Sequence, residues 1–267
     1  MARKVNLVDL NFSHVQYSSL YGTSNIIQWD RTCSQQGPTV YTDLFINDSI
    51  KTKPGDSKIA WLIEPRAIYP QIYEWIKDNH SLFKEVWTHD NKILELCRNA
   101  KFVPCGETFI DYPDHKIHEK SKLCSYIASD KNYTEGHQFR QSVRKHLLLN
   151  HESIDQFGRG YKTLQNKIDG LRDYAYSIAV ENCCVDSYFG EKIIDCFVTG
   201  TIPIYRGTRK VSDFFDCNGI IFFDTIEELD QILHKLSFED YHNRVNAIKT
   251  NFEKAKKFII AEEWGIA

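Results

Sequence analysis

Three features of the sequence predict an α/β fold of two parallel-sheet domains. Short apolar runs of strand length recur at 5–10, 58–63, 85–88, 101–104, 123–128, 176–180, 202–205 and 219–223. Segments of helical periodicity lie between them, at 70–79, 91–97, 137–149, 191–198, 226–236 and 238–258. Strands alternating with helices of this length are the pattern of βαβ units, whose right-handed crossovers place helices on both faces of a sheet. The third feature is the stretch 111–122, DYPDHKIHEKSK, which is polar, charged and contains Pro113. It predicts two domains, 1–115 and 116–267, with the last helix packing back on the first.

The connections follow from turn chemistry. Residues 32–38 read as a loop, and Pro54-Gly55-Asp56-Ser57 as a turn, because proline presets φ and glycine tolerates positive φ. No internal repeat, low-complexity stretch or heptad pattern interrupts the alternation.

The bulk composition excludes several classes. A chain of 267 residues with 42% hydrophobic and 26% charged residues has the make-up of an ordinary globular protein. Its formal net charge of -3 lacks the basic excess of a nucleic-acid binder. No run reaches 18 uncharged apolar residues, so no transmembrane helix is predicted. The start, MARKVNLVD, is interrupted by Asn6 and Asp9 too early for a signal peptide. The eight cysteines show no C-x-x-C spacing, and Cys183 and Cys184 are adjacent. They read as reduced thiols of a cytoplasmic protein rather than as a zinc ribbon or a disulfide framework. His115 and His118 sit in a charged loop with no third ligand singled out, so no metal site is assigned. There is no D-x-D triplet, no G-x-G-x-x-G after a strand and no G-x-x-x-x-G-K-[ST]. The last two absences count against dinucleotide oxidoreductases and P-loop enzymes.

The informative stretch is 176–207, which reads strand, polar loop, helix, turn, strand. The strand ends in Glu181 and Asn182. Gly190 lets the backbone approach a ligand, and Glu191 and Lys192 open a helix. A helix N-terminus offers free N–H groups and partial positive charge, and a lysine beside it makes a diphosphate site without a metal. Glu191 suits the dipole and is able to accept hydrogen bonds from ribose hydroxyls. Capping and solvation alone also account for a Glu-Lys pair in a first turn, so these residues by themselves decide little.

The whole pattern resembles the C-terminal signature of the alpha-1,3-fucosyltransferases, glycosyltransferase family 10. There, a strand ending F-E-N is followed by a Tyr, then T-E-K, a helix and G-T-[IV]-P-[IV]-Y-x-G. The corresponding residues here are Val180-Glu181-Asn182, Tyr188, Gly190-Glu191-Lys192 and Gly200-Thr201-Ile202-Pro203-Ile204-Tyr205-Arg206-Gly207. Upstream, Ile127-Ala128-Ser129-Asp130, then Arg140 and Arg144, then Ile154-Asp155-Gln156-Phe157-Gly158 resemble the family's strand, Arg-bearing helix and I-D-x-[YF]-G turn. In the first half the resemblance is confined to Lys58–Glu64, a strand with a carboxylate at its end, and to 91–110.

The resemblance implies a GT-B-like fold, two Rossmann-like domains facing across a cleft, with the donor nucleotide in the second and the acceptor in the first. It implies an inverting, metal-independent glycosyltransferase with no cofactor, moving L-fucose from GDP-fucose to a hydroxyl of a glycan acceptor. Glu64 stands where the family has its general base, although Pro65 follows it. Asn182, Tyr188, Glu191 and Lys192 then bind the donor, with Arg140 as the second phosphate ligand and Arg144 as the alternative. Guanidinium suits phosphate because it donates in a fork. Gly190, Cys183 and Arg206 depart from the family's usual Thr, Ser and Trp or Leu. A related enzyme using another sugar nucleotide therefore stays open, as does a non-catalytic glycan- or nucleotide-binding protein of the same fold. The lack of an anchor sets the chain apart from Golgi-resident relatives and leads to the expectation of a bacterial or viral cytoplasmic enzyme.

Overall fold

The computed structural model describes residues 2–12, 14–19, 22–51, 57–185 and 187–266. Contacts divide the chain into two compact units. Met1–Glu107, Asp186–Tyr188 and Phe258–Ala267 form the first; Thr108–Val185 and Phe189–Lys257 form the second.

The first unit holds a six-stranded sheet of β1 (Arg3–Val8), β2 (Ile27–Asp30), β3 (Thr39–Thr42), β4 (Lys58–Leu62), β5 (Glu85–Thr88) and β6 (Ala100–Phe102). Their order is β2-β1-β3-β4-β5-β6 and every pairing is parallel. In β4, Ile59 and Trp61 enter one apolar cluster and Ala60 and Leu62 another. Side chains alternate across a strand, so two clusters mean that both faces of the sheet are covered, as a parallel sheet requires. One face is built on aromatics: Trp61 lies 5.9 Å from Phe12 and 5.9 Å from Trp87, ring centre to ring centre. The other packs on α1 (Pro70–Asn79) and α2 (Asn91–Leu96), through Ile72, Tyr73, Ile76 and Ile93. Pro70 opens α1, where a missing N–H costs nothing. Asp90 caps α2 by accepting the Ile93 amide at 3.0 Å.

The second unit holds five parallel strands, β7 (Lys122–Ile127), β8 (Asp155–Phe157), β9 (Tyr174–Val180), β10 (Ile202–Arg206) and β11 (Ile221–Phe222), in the order β11-β10-β9-β7-β8. All seven residues of β9 are buried, which fits a central strand covered on both faces. Between the strands run α3 (Glu135–Asn150), α4 (Glu191–Val198) and α5 (Ile226–Leu233). Helix α4 stops in a Schellman turn: Gly200, at φ +71°, donates to the Phe197 carbonyl, and Thr201 donates to that of Cys196.

Three strands escape the sequence reading: β2, β3 and β8, each of four residues or fewer. The helix expected over 238–258 is instead α6 (Phe238–Asn243) and α7 (Val245–Ala255), followed by a 3-10 turn. Arg244 breaks it, at φ -97° and ψ 8°, with its guanidinium bound to Asp240 and to the Asn218 carbonyl. The turn expected at Pro54–Gly55–Asp56 lies outside the described residues. All eight cysteines are free thiols. Among the described residues no helix is long and apolar enough to cross a membrane.

Candidate active site

In open parallel sheets, ligands bind beyond the carboxyl ends of the strands where the strand order reverses. In the second unit that point lies between β7 and β9, and the sequence-predicted cations gather around it.

The chain leaves β7 and enters α3 through Thr134, whose hydroxyl accepts the His137 amide while His137 Nδ1 accepts the Thr134 amide. This reciprocal cap orients the first turn of α3. Gly136 then passes so close to the end of β9 that a Cβ there would lie 2.1 Å from the Glu181 carbonyl oxygen. The close approach lets Arg140, one turn on and buried, reach across. Its Nε donates to the Val180 carbonyl at 2.8 Å and an Nη to Asn182 Oδ1 at 2.7 Å. Arg144 is committed elsewhere: it stacks on Tyr161 and donates to the Phe157 carbonyl. Of the two arginines, the geometry joins Arg140 to the β9 terminus.

Glu181, fully buried, organises the opposite side. Its Oε1 accepts the Gly190 amide at 3.1 Å and its Oε2 lies 3.2 Å from the Lys192 ammonium. The Gly190 amide at the mouth of α4 is therefore taken by a carboxylate rather than offered to a ligand. Lys192 also lies 3.1 Å from Glu191 Oε1. Lys167 stands 3.7 Å from the same oxygen and 2.6 Å from Asp195, which in turn accepts the Thr108 hydroxyl at 2.6 Å. Burial pushes the Glu191 carboxyl up, but Lys192 and Lys167 outweigh it and hold it at about 2. The ring of His137 senses the same charge: burial first, then Arg140, Lys131 and Lys192, depress it to about 4. Arg140 and Lys192 thus both lie at the carboxyl end of β9, with Lys192 paired to the carboxylates of Glu181 and Glu191.

The remaining predicted residues, Tyr188 and Glu64, belong to the first unit. Tyr188 is buried with its ring 5.2 Å from that of His89. Glu64 follows β4 and is half-buried. Asp43, just after β3, turns back at φ +35° and accepts the Ile63 amide at 2.9 Å and the Glu64 amide at 3.2 Å. Its Oδ2 also accepts Asn11 Nδ2 at 2.6 Å. The Glu64 carbonyl accepts the Tyr73 hydroxyl at 2.6 Å. The Glu64 backbone is therefore held from both sides. Arg66 pairs with Asp90 at 3.2 Å and Glu74 at 2.7 Å. Burial pushes the Asp43 carboxyl up to about 7, against its hydrogen bonds, with the charge of Glu64 adding to the rise. His115 and His118 each bind a backbone carbonyl, of Ile110 and Asp114.

Sequence reasoning left Glu181, Asp43 and Lys167 out of the site. Glu181 carried a signal, since it sits beside Asn182 in the strand-end motif. Asp43 and Lys167 carried none: their roles depend on partners distant in the chain.

Two all-parallel sheets, with charged side chains gathered near the switch point of the second, define an α/β protein of the GT-B class. Comparison with known proteins makes this specific. The chain belongs to glycosyltransferase family 10 (fucosyltransferase), the model of whose C-terminal region matches residues 117–258. It is 25% identical over 139 residues to an alpha-(1,3)-fucosyltransferase FucT of Helicobacter pylori, covering 48% of this chain and 29% of that protein. It is 31% identical over 80 residues to an alpha-(1,4)-fucosyltransferase of Arabidopsis thaliana, covering 27% of this chain and 20% of that one. The matched segments thus span under a third of these relatives' length. A crystal structure of an alpha1,3-fucosyltransferase with GDP-fucose shares the fold at a TM-score of 0.55 and 15% identity, covering 87% of this chain and 81% of that one.

Proposed function

We propose that the protein is an inverting glycosyltransferase that moves L-fucose from GDP-fucose to a hydroxyl of a glycan acceptor. The observation that carries this reading is the cationic cluster of Arg140 and Lys192 at the carboxyl end of β9, within the region matched to the family. In this reading the second unit binds the donor and the first the acceptor. Arg140 and Lys192 neutralise the departing diphosphate and Asn182 holds Arg140 in register. Glu191, kept ionised, accepts from ribose hydroxyls.

Chemically, the acceptor O–H gives its proton to the Glu64 carboxylate while its oxygen bonds to the anomeric carbon. The bond from that carbon to the diphosphate breaks, and its electron pair leaves with GDP. Side-chain cations then supply the charge stabilisation, with no metal requirement. The chain's place in the cell is, in the same reading, the cytoplasm.

A thermal-shift and turnover screen across sugar nucleotides in metal-free buffer tests this. GDP raises the melting temperature, and GDP-fucose is consumed when a glycan acceptor is supplied. No shift with any nucleoside diphosphate overturns the proposal. A shift with a different nucleoside diphosphate and none with GDP overturns GDP-fucose as the donor and leaves a glycosyltransferase of another sugar nucleotide.

A further inference from the structure

A second polar cluster lies in the second unit, at the far end of α3 from Thr134. His151 is the C-terminal cap of α3 and His234 the cap of α5. Between them, Asp230 Oδ1 lies 2.9 Å from His146 Nε2 and 2.8 Å from His151 Nε2, and its Oδ2 lies 3.5 Å from His234 Nε2. The rings of His146 and His151 are 5.4 Å apart, and those of His151 and His234 5.1 Å.

We propose that His146, His151 and Asp230, with His234 as fourth ligand, bind one divalent transition-metal ion of the zinc class, which clamps the end of α3 to α5. Ligand atoms of His146, His151 and Asp230 all lie within 4.8 Å of one another. Tetrahedral zinc, with bonds of about 2.0–2.1 Å to nitrogen and oxygen, needs ligand atoms roughly 3.3 Å apart. The two Asp230–imidazole separations, 2.9 and 2.8 Å, lie within about half an ångström of that spacing. Imidazole nitrogens and a carboxylate oxygen are a donor set suited to zinc. Two helix C-termini converge there, and their partial negative charge favours a cation. The site is structural rather than catalytic. It braces the helix that carries Arg140.

The test uses the untagged full chain, stripped with a chelator and titrated with Zn²⁺ and Co²⁺ at neutral pH. One equivalent of Zn²⁺ is expected to bind and raise the melting temperature by several degrees. Co²⁺ gives visible tetrahedral d–d absorption without the ultraviolet thiolate charge-transfer band that Cys33, Cys184 or Cys217 would produce. His151→Gln and Asp230→Asn each weaken Zn²⁺ binding by on the order of 100-fold or more, while the response to GDP persists. Binding weakens as the pH falls, because protons compete with the metal for its ligands. The wild-type cobalt spectrum decides the question even if a variant fails to fold. No tetrahedral spectrum, a thiolate band, or Zn²⁺ stabilisation that survives in His151→Gln overturns the proposal.

Discussion

Arg140 and Asn182 are joined by a 2.7 Å hydrogen bond from guanidinium to amide oxygen, while the same guanidinium holds the Val180 carbonyl at 2.8 Å. The planar fork is fixed at its inner edge by the end of β9. Arg140→Lys keeps the charge and loses the fork. Losing a hydrogen bond to a charged group costs about 1.5–3 kcal/mol, so GDP affinity is expected to fall roughly tenfold or more in calorimetric titration. Arg144→Lys, whose partner is the Tyr161 ring, is expected to change stability and leave GDP affinity close to wild type.

Lys192 bridges Glu181 and Glu191, so its replacement conflates two effects. Lys192→Met leaves the buried Glu181 carboxylate without its cation, at a cost on the order of 3 kcal/mol. Adding Glu181→Gln is expected to restore most of that stability in denaturant unfolding while nucleotide binding stays weak. Wild-type GDP affinity in the double variant would remove Lys192 from the donor site.

Glu64→Gln is expected to abolish transfer, a loss of about 10²-fold or more, with GDP affinity nearly unchanged. Its backbone partners, Asp43 and Tyr73, remain satisfied in the variant, so the fold is retained. Normal turnover would place the base elsewhere.

The pH dependence of stability should carry the mark of Asp43. Its folded pKa, pushed up to about 7 by burial, exceeds the roughly 3.9 of an unfolded aspartate. Between these values the folded protein holds a proton that the unfolded chain has released. Its contribution therefore declines as pH rises through this window and levels off above it. Asp43→Asn removes the titration but has one acceptor fewer for its three donors. It is expected to start about 1 kcal/mol below wild type at acidic pH and to become the more stable of the two as pH rises, in denaturant midpoints measured across the window.

The strands read most directly from sequence were those with long apolar cores, such as β9 and β10. The ones missed lacked that signal: in β2, Ile27 and Trp29 are buried while Gln28 is exposed, and only four residues carry the alternation. Strand β8 has three residues, at the sheet's edge. The long C-terminal helix looked continuous because nothing in the residue type of Arg244 announces a break; its bonds to Asp240 and Asn218 create one. For the site, residues contiguous in the chain were legible and distant partners were not. Glu191 and Lys192 stood out from their spacing. Lys167, which steadies Glu191 and Asp195, became visible only in the folded chain.

The bond from the Gly190 amide to Glu181 has a meaning for inheritance as much as for chemistry. It acts as a hasp, fastening the end of β9 to the start of α4 whatever the chain does in between. Between the two fastened points only the exposed positions, such as Cys184 and Val185, are free to change without displacing Lys192.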